Sequence, residues 1–270
     1  MLIFIINIKY SIDRKKSMEQ KIKDLAKNTT YEVFLESNLL NKNIQDSKES
    51  KNNKRFCFYF FDAIDAKDIE SKKLIIKNYN ATLSKFVRGK ELGFGELACF
   101  ASHYALWEKC VSLGENIIIL EDDISFEDDF LDSIIKIENS KFEYVRLYYL
   151  FDRKIWHLRD DFYISYQNLS GTQGYFVSPH AALKFILHSK IWFHCVDNYM
   201  DMFFINKVQN IIYKPFCISE DEVYTKNSTI LGRKKIQIKW IYKLTREISR
   251  FFLFSIYKNL YLFFYKIRGV

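Results

Sequence analysis

The sequence predicts an α/β protein. Short apolar runs of strand type alternate with helical segments, three consecutive acids follow one such run directly, and glycine or proline punctuates the joints. At 270 residues the chain can bury a sizeable core, and one domain with elaborations is the natural organisation. Hydrophobic residues make up 49% and aromatics 17%, a balance that excludes a disordered chain.

Residues 2–8 form a continuous apolar run containing Ile3, Ile5 and Ile6, as expected of a first strand buried on both faces. The run is too short for a secretory leader, and no basic region precedes it. After the turn around Ser11, Ile12 and Asp13, a polar helix is expected through Met18, Ile22 and Leu25. Residues 38–55 are almost all polar and read as a solvated insertion loop. Phe56–Phe61 restarts as a strand ending at Asp62-Ala63-Ile64-Asp65. Gly93 and Gly95 open a helix over Glu96–Leu113, with Gly114 placed to stop it. Ile117–Leu120 is a short buried strand that runs straight into Glu121-Asp122-Asp123. Tyr144–Phe151 reads as a further strand, Gly171–Ser178 as a Gly-bracketed strand or turn, and Pro179 opens a helix in its first turn.

The five cysteines are odd in number and form no C-x-x-C pair, which fits a reducing compartment better than a disulfide framework or a zinc cluster. The net charge of +8 is a local property. Of 41 Lys and Arg and 33 Asp and Glu, ten bases and one acid lie in residues 233–270, leaving 31 against 32 elsewhere, a net of −1. That distribution, with no recognisable nucleic-acid module, argues against nucleic acid as a partner.

Three acids at a strand end repel one another, and a bound cation relieves that repulsion. Strand ends are also where open α/β sheets take ligands. Carboxylates suit hard cations such as Mg²⁺ or Mn²⁺, which commonly bridge protein acids and a substrate diphosphate. Taken alone, the turn fits equally a solvated helix entry, a phosphoacceptor domain or a metal phosphohydrolase.

Several segments follow one another in a telling order. These are Phe4-Ile5-Ile6-Asn7-Ile8 with Asp13-Arg14, Asp62-Ala63-Ile64-Asp65-Ala66, Gly95-Glu96-Leu97-Ala98-Cys99 through Ser102-His103, and Ile118–Asp123. Gly171-Thr172-Gln173-Gly174-Tyr175 followed by Ala181-Ala182, and then Val196-Asp197, complete the series. Over about residues 1–230 this series resembles glycosyltransferase family 25, the bacterial lipooligosaccharide and lipopolysaccharide core glycosyltransferases related to the collagen galactosyltransferases. The family usually has glycine where Ala66 and Ala98 stand.

The resemblance implies a GT-A-type, Rossmann-like nucleotide-sugar-binding domain. It implies a UDP-sugar donor (UDP-galactose or UDP-glucose), a saccharide acceptor on a lipid A core, and a divalent metal, usually Mn²⁺. Asp123 is then the principal metal ligand, with Glu121 or Asp122 at the donor ribose or in a second shell, and Glu121 also offered to the metal. Asn7 is a candidate for uracil or ribose and Arg14 for the diphosphate, against turn-capping and surface roles. Asp65 is a ribose candidate or a turn residue. Glu96 and His103, on one helix face with Trp107, are directed to the donor pocket, the alternative for His103 being a hydrogen-bonded core residue. Gly174 would let backbone approach the sugar and Tyr175 would offer its ring as a platform, unless the pair is only a tight turn with a core tyrosine. Inversion would require a carboxylate base, with Asp197 the first candidate and Asp201 the second. His188 and His194 are possible late-chain metal ligands.

In residues 233–270, Lys239, Lys243, Arg246 and Arg250 fall within a wedge of roughly 60° at 100° per residue. Trp240, Ile241, Leu244, Ile248, Phe251 and Phe252 lie opposite, an amphipathic helix suited either to an anionic membrane surface or to packing on the domain. Phe251–Tyr265 is short of the ~20 residues that span a bilayer. The expected organisation is a catalytic domain over 1–232 and a membrane-associating tail over 233–270, on the cytoplasmic face of a bacterial inner membrane. The competing functions are a metal phosphohydrolase and a non-catalytic membrane-surface binder.

Overall fold

The computed structural model describes residues 1–36, 54–65, 77–225 and 239–267. A nine-stranded mixed sheet runs through the molecule in the order β2-β3-β1-β4-β9-β6-β10-β8-β7. Its strands are β1 (Leu2–Asn7), β2 (Glu32–Glu36), β3 (Arg55–Asp62), β4 (Ile117–Glu121), β6 (Tyr144–Arg146), β7 (Trp156–Arg159), β8 (Phe162–Ile164), β9 (Gly174–Val177) and β10 (Ile211–Tyr213). A two-stranded sheet pairs β5 (Ile124–Phe126) with β11 (Ile218–Glu220). Strands β2, β3, β1 and β4 are mutually parallel, whereas β9 runs antiparallel between β4 and β6.

Helices cover both faces of the sheet, which explains the unbroken apolar runs of its central strands. In β4, Ile117 and Ile119 enter one core with Phe100, Trp107, Phe185 and Trp192, while Ile118 and Leu120 enter the other with Met18, Ile22, Phe130 and Ile134. The first core is closed by α3 (Phe94–Leu113) and α5 (Pro179–His188), the second by α1 (Ile12–Lys27) and α4 (Phe130–Asn139). Helix α3 starts where the Glu96 carboxylate accepts the Gly93 N–H at 2.7 Å, and it stops at Gly114, whose φ of 66° is costly for other residues. Pro179 occupies the first turn of α5, behind a Ser178 hydroxyl that accepts from the Ala181 N–H.

Strands form at Leu2–Asn7, Arg55–Asp62 and Ile117–Glu121 as expected, and of the segment 171–178 only Gly174–Val177 pairs as a strand. The segment expected to continue to Phe151 pairs only as Tyr144–Arg146. Most of the insertion at 38–55 lies outside the described residues, and Arg55 already belongs to β3. Short helices α2 (Ala81–Arg88), α6 (Val196–Met200), α7 (Phe203–Asn206) and α8 (Glu222–Thr225) complete the body.

The tail is helical: α9 (Trp240–Arg250), a π-helical segment (Phe251–Tyr257) and α10 (Lys258–Ile267). It packs on the body along one stripe. Tyr242 meets Phe86 of α2 edge-on, Ser249 Oγ donates to the Phe86 carbonyl, and Phe254 and Tyr261 pack against Phe204 and Phe203 of α7. The stripe leaves Trp240, Ile241, Leu244, Ile248, Phe251 and Phe252 facing solvent, with Trp240 74% exposed. Among the described residues no helix is long and apolar enough to cross a membrane.

Candidate active site

The parallel pairing of β1 with β4 places Ile6 opposite Glu121, so the chain leaves both strands at the same edge of the sheet, with Asn7 next to Asp122. Alternation then separates the acids. Glu121 continues the face of Ile117 and Ile119, whereas Asp122 continues that of Ile118 and Leu120.

On the α1 face, Asn7 Nδ2 donates to Asp122 Oδ2 at 2.6 Å, and Arg14 Nη1 donates to Asp122 Oδ1 at 2.9 Å and to Asp123 Oδ2 at 3.3 Å. The guanidinium is held in turn by the Tyr224 carbonyl at 3.4 Å and lies 5.3 Å from the centre of the Tyr224 ring. The Asp221 N–H donates to the Asp123 carbonyl, and Lys21 Nζ donates to Asp221 Oδ2 at 2.5 Å, fastening the residues after β11 to the acidic turn. Burial pushes the Asp122 carboxyl up, against Arg14 and Asn7, which favour its ionised form. Burial and then the neighbouring charge of Glu121 push Asp123 up to about 7, with Arg14 opposing. Two acids here face one guanidinium, with the charge of Glu121 close behind them, and Asp123 keeps an open flank with its side chain 22% exposed. This donor set fits a hard divalent cation.

On the opposite face, Thr172 Oγ1 donates to Glu121 Oε1, and His103 Nε2 lies 3.7 Å from the same oxygen. The antiparallel β4–β9 pair brings Thr172 and Gln173 here, since Leu120 stands opposite Gly174 and the Glu121 N–H donates to the Gln173 carbonyl. Gln173 Nε2 also donates to Glu220 Oε1 at 3.0 Å. Burial and then the charges of Glu121 and Asp197 push the Cys99 thiol on α3 up, so both carboxylates act on this one side chain.

Asp197 opens α6. Burial raises its carboxyl, but hydrogen bonds from Cys195 and Asn198 and the charge of Arg146 outweigh burial and hold it below the ordinary aspartate value. The Asn198 N–H donates to its Oδ1 at 2.8 Å. Beside it, Arg88 Nη2 donates to Glu96 Oε1 at 2.5 Å and lies 3.9 Å from Cys195 Sγ. His194, pushed down to about 3 by burial and then by Arg88, is held neutral.

Several expected site residues have other occupations. Asp201, offered as a second base, is buried: Oδ1 accepts from Arg146 Nη2 and Asn210 Nδ2, and Oδ2 accepts from the Leu169 and Ser170 N–H groups. Its lone pairs are consumed in anchoring the 169–171 turn. The Tyr175 ring, expected as a sugar platform, is 1% exposed, and its hydroxyl meets His103 Nδ1 at 2.9 Å and Trp107 Nε1 at 3.0 Å. Gly174 is enclosed by side chains: a Cβ there would stand 2.5 Å from Ile218 Cδ1 and 2.8 Å from Leu120 Cδ2. Glu96 caps α3 and pairs with Arg88. Asn7 and Arg14 hold the acidic turn itself. Asp65 sits 3.5 Å from the Tyr10 hydroxyl at the exit of β3, and His188 ends α5 at the surface. Ala66 and the bases at 233–235 lie outside the described residues.

Residues that sequence reasoning did not single out also serve the site. Lys21 follows Arg14 by seven residues on the same face of α1, a spacing visible in the sequence. Thr172 and Gln173 lay inside the glycine-bracketed motif, overshadowed by Gly174 and Tyr175. Tyr224 carried no sequence signal.

The family model for glycosyltransferase family 25 (LPS biosynthesis protein) matches residues 1–200, from β1 through α6, including every side chain of the acidic turn and Asp197. The chain belongs to glycosyltransferase family 25. Among family members, it is 36% identical over 74 residues to a rat protein described as probable inactive glycosyltransferase 25 family member 3, and 36% identical over 78 residues to a glycosyltransferase 25 family member of Aedes aegypti. Each match covers 26% of this chain, and 13% and 12% of the respective relatives. A Drosophila melanogaster family member is 29% identical over 146 residues, which cover 47% of this chain and 22% of that protein.

Proposed function

We propose that this family 25 chain is a GT-A-type glycosyltransferase that transfers a hexose, galactose or glucose, from a UDP-sugar to a lipooligosaccharide core acceptor. The observation that carries the reading is the acidic turn, fixed by Asn7 and Arg14 at the carboxyl ends of two parallel strands. Asp123, with its open flank, would be the principal ligand of a divalent cation, Mn²⁺ or Mg²⁺, and Glu121 stands near enough to contribute. Such a cation, when bound, would neutralise the charge building on the departing UDP.

The protein's own contribution is positioning and proton transfer. Arg14 and Asn7 keep Asp122 in place, so that Asp123 is presented at the donor diphosphate. In an inverting reaction, Asp197 takes the proton of the acceptor hydroxyl. The new bond forms between that oxygen and the anomeric carbon as the bond to the diphosphate breaks. Hydrogen bonds that hold Asp197 ionised make it competent to accept that proton. The exposed apolar face of α9, with Lys239, Lys243 and Arg250 alongside, would hold the enzyme on an anionic membrane, at the cytoplasmic face of the inner membrane, where a lipid-linked acceptor is presented.

The test is a panel of UDP-sugars with lipooligosaccharide acceptors, with and without Mn²⁺. UDP release that requires both acceptor and cation, and that is lost in Asp123→Asn, supports the proposal. Release of phosphate without a sugar donor would instead indicate a phosphohydrolase. No binding or consumption of any UDP-sugar would overturn the donor assignment.

A further inference from the structure

The other face of the acidic turn carries a second ligand set. Cys99 and His103 are four residues apart on α3 and therefore share one side of the helix, which faces the end of β4. Cys99 Sγ, a ring nitrogen of His103 and a carboxylate oxygen of Glu121 all lie within 4.8 Å of one another. His103 Nε2 is buried with no hydrogen-bond partner, at 3.7 Å from Glu121 Oε1, too far for a hydrogen bond. Such an orphaned nitrogen in a core is costly unless something occupies the space before it.

We propose that Cys99, His103 and Glu121 form a binding site for a borderline-soft divalent cation, Zn²⁺ in particular. Thiolate, imidazole and carboxylate are the ligand types zinc takes, at about 2.0–2.3 Å from each, so ligand atoms separated as these are can surround one ion. A hard cation such as Mg²⁺ would not select a thiolate. The support behind the histidine fits as well. The Tyr175 hydroxyl accepts the Trp107 N–H and meets His103 Nδ1 at 2.9 Å, and a proton placed on Nδ1 leaves the Nε2 lone pair bare for a cation. Thr172 holds the Glu121 carboxylate in place. Three protein ligands leave a fourth position open toward the partly exposed side of Glu121 and Cys99. The site adjoins the one at Asp123 through Glu121 but lies on the other face of the turn from Asp123 and Arg14, and it does not rest on the glycosyltransferase reading.

The test uses the reduced, metal-free full chain titrated with Co²⁺ and then Zn²⁺. One Co²⁺ per chain with thiolate-to-cobalt charge-transfer absorption is expected, and Zn²⁺ should abolish that band. The band should vanish in Cys99→Ser and in His103→Gln. It should persist in Asp123→Asn and in Cys195→Ser, the latter removing a second cysteine that lies 3.6 Å from a histidine. Tyr175→Phe should weaken Zn²⁺ binding by roughly 10–100-fold. Absence of the band in the wild-type protein, or its survival in folded Cys99→Ser, overturns the proposal. Should a core variant fail to fold, Glu121→Gln decides, with affinity read from the thiolate-to-cobalt band: a weakened value supports the site, and an unchanged one rejects it.

Discussion

Arg14 and Asp122 stand 108 residues apart in the chain, yet the guanidinium lies 2.9 Å from the carboxylate, with both side chains about nine-tenths buried. Helix α1 is thereby tied to the end of β4 by a charge pair that neither element could bury alone. Removing one partner leaves the other charged and desolvated. Arg14→Ala should lower unfolding free energy by about 3 kcal/mol, more than a surface arginine would, because the loss of one partner from a buried pair costs roughly 3–5 kcal/mol. Urea denaturation checks this; a loss under about 1 kcal/mol would mean the pair is solvated.

Asp123 titrates against the ordinary trend. Its carboxyl is raised to about 7, so between the unfolded value near 3.9 and about 7 the native state holds a proton that the unfolded state has shed. Metal-free protein should therefore lose stability as pH rises through that window, by a few kcal/mol at ~1.4 kcal/mol per unit. Asp123→Asn should flatten the slope. Adding Mn²⁺ should restore stability chiefly above pH 7. Thermal melts across pH 5–8 would show it, and identical slopes for the two proteins would refute it.

The two aspartates of the α6 region should separate cleanly. Asp201→Ala breaks the ion pair with Arg146 and frees two backbone N–H groups, so it should cost about 3–5 kcal/mol of stability. Asp197→Asn should leave the melting temperature nearly unchanged and reduce sugar transfer by ~10²–10⁴-fold in kcat. Equal losses of stability in both would remove Asp197 from the base role.

Gly174→Ala tests whether that glycine serves packing. The added methyl meets Ile218 and Leu120, and overpacking of this kind costs about 1–3 kcal/mol. Denaturation should report that loss, while UDP affinity per folded molecule stays within about twofold. A selective loss of UDP affinity would return Gly174 to the donor.

For the tail, Leu244→Glu with Ile248→Glu should abolish sedimentation with anionic vesicles without altering the body's melting transition, since both side chains are about half exposed. Raising the salt concentration should weaken wild-type binding, as expected of basic side chains beside an apolar face. Equal binding of the variant would assign that face to something other than lipid.

The central strands and long helices were legible because each carries its own signal. β1, β3 and β4 are apolar on both faces, α3 ends at a glycine, and α5 begins at a proline. β2, β8, β10 and β11 are three to five residues long and exist because a neighbour supplies pairing, which no local pattern records. The acidic turn was readable for the same reason as β4, being its direct continuation. The sequence motif Gly171–Tyr175 was visible too, but residue types alone did not say which members faced the acids. That was decided by the antiparallel register with β4, which turns Tyr175 into the core and leaves Thr172 and Gln173 at Glu121. Asp201, the second candidate base after Asp197, is claimed by Arg146 from a different part of the chain.

The alternation of β4 has a genetic consequence. Asp122 and Glu121 serve opposite sides of the sheet only because an odd step separates them and the strand's pairing with β1 fixes its phase. Losing or gaining one codon within Ile117–Leu120 would exchange those sides for the rest of the strand and the acidic turn that continues it. It would turn a carboxylate toward each pocket that now receives the other. This short segment can therefore drift in composition far more readily than in length.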